Sequence, residues 1–198
     1  PTYAPLHLLS AAAYQVAGYP AMALGHLRRV PADEPFSEVL REFLRGDFDA
    51  ALKSIHAFWA AQHSLTASYS GGDGSPEDDG SPNPLELSTV RHVVMAIGTV
   101  CSFLRTGESA LVERALVKLE ALAQSYLHSR DAYSYLLARL VADAARRFVD
   151  ASLWPHVEGL ANATNPNARA ALIQFARAAF ANRRALVWPA QRQGIERL

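Results

Sequence analysis

The amino-acid sequence predicts an all-α protein made of irregular antiparallel helical hairpins in two packed groups. Three observations predict it. Half of the 198 residues are hydrophobic, Ala and Leu lead among them, and strand-favouring runs of Val, Ile and Thr are scarce. Apolar residues recur every three to four positions, the period of a helix that buries one stripe. Breakers such as Gly18-Tyr19-Pro20, Gly46 and Thr106-Gly107 punctuate those periodic stretches.

The elements follow in order. Leu6 to Ala17 reads as a first helix with Leu9, Ala13 and Val16 on one side, and Gly18-Tyr19-Pro20 breaks it. A second helix spans Ala21 to Arg29. A third presents Phe36, Val39, Leu40, Phe43 and Leu44. Gly46 ends it, and Asp47 is placed to cap a fourth, which presents Phe48, Ala51, Leu52, Ile55, Phe58 and Trp59. Gly46 to Leu52 looks like the second helix of a tetratricopeptide-type hairpin: a tight turn, an aromatic wedge, then small residues that permit close helix approach. No period of about 34 residues repeats along the chain, so the reading is irregular hairpins rather than a repeat array.

Residues 1–64 are therefore expected to form N-terminal hairpins, and 85–182 a second helical bundle. Residues 65–84 separate them as an acidic Gly/Pro-rich flexible linker or loop, with too little apolar surface to offset the entropy of ordering. A calcium loop is the alternative there, but Asp73, Glu77, Asp78 and Asp79 lack the required spacing. In the second group, Leu87 to Leu104, Glu108 to His128 and Arg130 to Val149 carry apolar stripes that include Leu111, Leu136 and Cys101. A short helix covers Leu153 to Leu160. Asn165-Pro166 then caps a last long helix with Leu172, Phe175, Ala179 and Phe180 inward.

Charge and motifs restrict the chemistry. Formal net charge is +0, so the whole chain exerts no pull on nucleic acid or membrane. The stretch 165–198 is locally basic, with six arginines against Glu196. Cys101 is the only cysteine, which excludes an intrachain disulfide and suits a cytoplasmic location. No apolar run nears the roughly 20 residues of a membrane span. Pro1 in place of an initiating Met reads as the start of a fragment. Asn162-Ala163-Thr164 matches the glycosylation sequon, as chance also provides.

Seven histidines form no metal-binding motif. His56 and His63 are spaced to share a helix face, but no acid completes a ligand set. Cys101 lies on an apolar stripe, as a small core residue would rather than a nucleophile. There is no nucleophile elbow and no phosphate-binding loop. Arg28-Arg29, Arg146-Arg147 and Arg183-Arg184 are candidate phosphate contacts, although such pairs also serve as solvated helix ends. Acting alone, the chain is expected to be no enzyme.

The segment Leu186-Val187-Trp188-Pro189-Ala190-Gln191-Arg192-Gln193-Gly194-Ile195 resembles the opening of the first motor domain in superfamily 2 helicases of the DExH-box type. The match covers about ten residues. Leu9 to Ala21 is similar to helical N-terminal regions of some large bacterial helicases, anti-phage defence enzymes included. The resemblance implies that the chain is the helical accessory region of such a helicase, and that 183–198 is the truncated start of its motor. It implies Gln191 as the adenine reader, since a side-chain amide both donates and accepts. Trp188 or Arg184 would lie near the base, and Arg183, Arg184 and Arg192 would contact DNA or RNA. ATP and Mg are implied for the parent protein, and none in this chain, which lacks the phosphate loop, the acidic metal-binding motif and the arginine finger. The alternative is a stand-alone scaffold of tetratricopeptide-like hairpins that binds a protein.

Overall fold

The computed structural model describes residues 4–31, 34–69, 84–161, 166–187 and 191. Among them the chain forms nine α-helices: α1 Ala4–Ala17, α2 Pro20–Leu27, α3 Pro35–Arg45, α4 Phe48–Tyr69, α5 Pro84–Thr106, α6 Val112–His128, α7 Ala132–Asp150, α8 Trp154–Ala161 and α9 Pro166–Ala181. The expected all-α architecture is observed, and no helix is long and apolar enough to cross a membrane among the described residues. Two boundaries move. α4 runs five residues into the stretch expected to be linker, and α5 starts at Pro84. The rest of that stretch, with the calcium-loop alternative, lies outside the described residues, as does the sequon.

One termination device recurs. Gly18, Gly46, Arg130 and Arg183 follow α1, α3, α6 and α9 in the left-handed backbone region. At each, the residue's own N–H bonds the carbonyl three back and the next N–H bonds the carbonyl five back, as in Asp47 N–H to Glu42 O at 3.1 Å and Arg184 N–H to Ala179 O at 2.7 Å. This Schellman arrangement satisfies carbonyls that the helix end would leave orphaned. Glycine adopts the conformation freely, so Gly18 and Gly46 are legible as stops. Arg130 and Arg183 are not, because an L side chain is disfavoured there.

Helices pair in sequence: α1 with α2, α3 with α4, α6 with α7, α8 with α9. Pairs from the two sides of the acidic stretch also meet, α1 against α7 and α4 against α5. A single cluster of buried residues runs from Leu8 through Phe43 and Ile97 to Phe180 and Ala185. The two groups thus share one core. In α1 the buried face is Leu8, Ala11, Ala12 and Gln15, while Ala13 is exposed, a correction to the predicted stripe. The buried alanines let α7 come close. Buried Gln15 donates from Nε2 to the Leu44 carbonyl at 2.6 Å, serving the last turn of α3 from another helix.

Three further apolar positions predicted inward face outward: Leu111 at 57% exposure, Leu136 at 46% and Phe175 at 61%. Leu111 belongs to a 3-10 turn, Ser109–Leu111, that precedes α6 rather than to the helix itself. On α9, which packs on α5 and α8, Ala176 and Phe180 take the buried face and Phe175 falls outside it. Cys101 is fully buried in α5, and burial pushes its thiol far above the ordinary range. It is a core residue, as expected, with no thiolate to attack a substrate.

Candidate functional site

The C-terminal segment is built onto the helical body from the end of α9. Arg183 occupies the left-handed position there, with φ 58°. Its Nη1 lies 3.2 Å from Oδ2 of Asp47. The other Asp47 oxygen, Oδ1, accepts from the Ala50 N–H at 3.2 Å, capping α4 as the sequence predicts. One buried carboxylate therefore starts α4 and holds the exit of α9. Nearby Asp49 has its carboxyl held below the usual carboxylate range, by a Lys53 hydrogen bond first and then by the charges of Lys53, Arg105 and Arg183.

From Arg184 the chain leaves helical structure. Leu186 forms an isolated antiparallel bridge with Ser152, and the Val187 N–H donates to the Ala151 carbonyl at 2.6 Å. Ala185 is buried, and Leu186 packs against the core. Arg183 belongs to the helix end. Gln191 is helical and exposed. Trp188 and Arg192 lie outside the described residues.

Of the predicted nucleic-acid contacts, Arg184 is exposed and Arg183 shares its charge with Asp47 while 70% of its side chain stays accessible. The pair Arg146-Arg147 has local employment. Arg146 Nη2 donates to Glu120 at 2.9 Å, and Arg147 Nη1 donates to the Val16 carbonyl at 2.6 Å, serving the C-terminal end of α1. Arg28 and Arg29 are exposed just after α2. His56 is exposed on α4, and the His63 side chain is outside the described set. Among the described residues no three His, Cys, Asp or Glu side chains converge on a common point.

Two hollows lie among the described residues. A cavity of about 250 Å³ lies between α1, α3, α5, α6 and α7, with Leu8, Ser37, Val93, Tyr126, Tyr133 and Val141 in its wall. It falls below the roughly 300–1,000 Å³ of small-molecule pockets. A shallow apolar depression at the α6–α7 turn is lined by Leu127, Arg130, Ala132, Tyr135 and Leu136.

Two features escape a sequence reading. The carboxylate partner of Arg183 lies far away in the chain, and no spacing rule connects them. His7 and His26, on α1 and α2, come into direct contact only because the Gly18–Pro20 break folds one helix back on the other.

The Asp47–Arg183 contact yields a prediction. Asp47→Ala removes the α4 cap and the ion pair together and is expected to cost about 1–2 kcal/mol in urea denaturation. Asp47→Asn retains the capping oxygen and should cost less. A double-mutant cycle with Arg183→Ala is expected to give a coupling of at most about 1 kcal/mol, because the arginine is largely exposed. A larger coupling would mean that the pair is shielded from water.

No protein-family model, no curated protein and no solved structure matches this chain.

Proposed function

We propose that this chain is a non-catalytic helical accessory module that braces the motor of an ATP-dependent DNA or RNA helicase, acting in the cytoplasm. The supporting observation is the anchored C-terminal segment. Arg183, Ala185, Leu186 and Val187 are tied to α4, the core and the α7–α8 turn, immediately before the stretch that resembles a motor's entry. Anything that begins at Trp188 would leave the helical body in a set direction. A brace needs that property, and a loose tether lacks it. Gln191 would read adenine once the motor supplies the phosphate loop, ATP and Mg. Arg183, Arg184 and Arg192 are the arginines for nucleic acid in this reading.

The test uses the full-length gene product. Gln191→Ala is expected to raise KM for ATP about tenfold while leaving KM for GTP little changed, the effect of losing one or two neutral hydrogen bonds to the base. Equal ATP kinetics in wild type and variant would sink the adenine role. An open reading frame with no phosphate-binding loop downstream would sink the helicase reading as a whole.

The second reading, a protein-binding helical scaffold, is favoured by the α6–α7 depression, where Leu127 and Leu136 are 52% and 46% exposed. Under it, Leu136→Glu abolishes co-purification of a protein partner and leaves any ATP turnover of the full-length product unchanged.

A further inference from the structure

The contact between His7 and His26 has no role in the brace. Nδ1 of one ring lies 3.2 Å from Nδ1 of the other. The ring centroids are 5.4 Å apart, so with the nitrogens at 3.2 Å the nitrogen-bearing edges meet rather than the faces. Tyr14 stacks on His26 with ring centroids 5.5 Å apart and holds that ring in place. Both histidines are half-buried, on neighbouring helices joined by the Gly18–Pro20 break.

We infer that His7 and His26 form a two-histidine site for a divalent transition-metal ion of the copper, nickel or zinc class. The geometry carries the inference. Metal–imidazole bonds are about 2.0–2.1 Å long. Two nitrogens 3.2 Å apart at that bond length subtend about 100° at a common ion, between the octahedral and tetrahedral angles. The two nitrogens are close enough to share one ion once the rings turn their lone pairs off the N···N line and toward it. Imidazole donors select these metals over magnesium and calcium, which prefer oxygen ligands. No third His, Cys, Asp or Glu joins the pair among the described residues, so water fills the other positions.

The protons balance. In the metal-free neutral pair one Nδ1–H donates to the other Nδ1 lone pair. Binding needs both Nδ1 lone pairs, so the donor ring shifts its proton to its own Nε2 and none is released. The ion then crosslinks α1 to α2 and stabilises the folded chain by mass action.

Calorimetric titration of this chain with Cu²⁺, Ni²⁺ and Zn²⁺ separately tests the site. One equivalent should bind, Cu²⁺ most tightly as the affinity order for nitrogen sites requires. Cu²⁺ should also raise Tm. His7→Gln and His26→Gln keep a polar amide at each position, which protects the fold, and each should weaken binding at least tenfold and cancel the rise in Tm. His56→Gln, a change at an exposed histidine, should leave both unaltered. Binding that persists unchanged in the two variants, or no binding at millimolar metal, overturns the assignment. NMR of the imidazole resonances supplies a readout independent of stability: Cu²⁺ should broaden His7 and His26 before any other histidine, and any other order counts against the site.

Discussion

Phe148→Ala is expected to destabilise the protein by about 3–5 kcal/mol, the range for emptying a buried aromatic site. Phe148 on α7 is 3% exposed and meets Phe43 of α3 and Phe48 of α4. Its ring centroid lies 5.3 Å from that of Phe43 at 84°, and 5.2 Å from that of Phe48 at 73°. Phe43 and Phe48 close the triangle at 6.2 Å and 62°. All three contacts are edge-to-face, the arrangement that sets a positive ring edge on a negative face and adds about 0.5–1.5 kcal/mol per pair beyond area burial. Phe43 and Phe48 precede the acidic stretch and Phe148 follows it, so the triangle joins the two halves of the core. Phe148→Leu should cost less than Phe148→Ala, since it keeps most of the apolar contact and loses the ring geometry. A cycle with Phe43→Leu should show coupling of about 0.5–1.5 kcal/mol. Wild type should unfold in one transition seen identically by circular dichroism and tryptophan fluorescence. Two separated transitions would show that the halves fold independently and that the triangle does not unite them.

Gly107→Ala is the second large effect, expected to cost about 3 kcal/mol or more by combining backbone strain with disruption of a buried aromatic. Gly107 has φ +80°, and a Cβ there would meet the Trp154 indole, 2.6 Å from Cδ2 and from Cζ3. The indole cannot yield easily. Trp154 is 5% exposed, and its Nε1–H donates to the Leu104 carbonyl at 2.9 Å, serving the last turn of α5. Gly46 supplies the control. Its φ is +81°, and a Cβ would meet nothing within 4 Å. Gly46→Ala should therefore cost only the left-handed penalty of about 1–2 kcal/mol. The difference between the two variants, measured by urea denaturation, isolates the collision with the indole. Equal losses at both sites would show that Trp154 moves aside at little cost.

Much of this fold is legible in the chain because the signals are local. The 3.6-residue period marks α3, α5, α6 and α7. Gly46 followed by Asp47 announces a stop and a start within two residues, and Pro166 opens α9 as predicted. Cys101 on an apolar stripe reads correctly as core. Phe175 and Leu136 read incorrectly for a physical reason. A helix with apolar residues over much of its circumference has more candidates than its neighbours can cover, and periodicity does not say which neighbour arrives on which side.

The candidate site divides the same way. A non-helical run before Pro189 is legible in the sequence, because the residue that precedes a proline avoids the helical region. That this run is anchored does not follow from it. Asp47 meeting Arg183 and Ala151 meeting Val187 depend on where α4, α7 and α9 come to rest. By itself the sequence determined the helices, the local stops and caps at Gly18, Gly46 and Asp47, and the apolar character of the core, because each depends on residues within a turn or two of one another. Only the tertiary structure decided which arginine is held by a carboxylate, which histidines touch and which apolar side chains remain in water. Those outcomes depend on pairs far apart in sequence, brought together when α1 packs on α7 and the two halves close over one core.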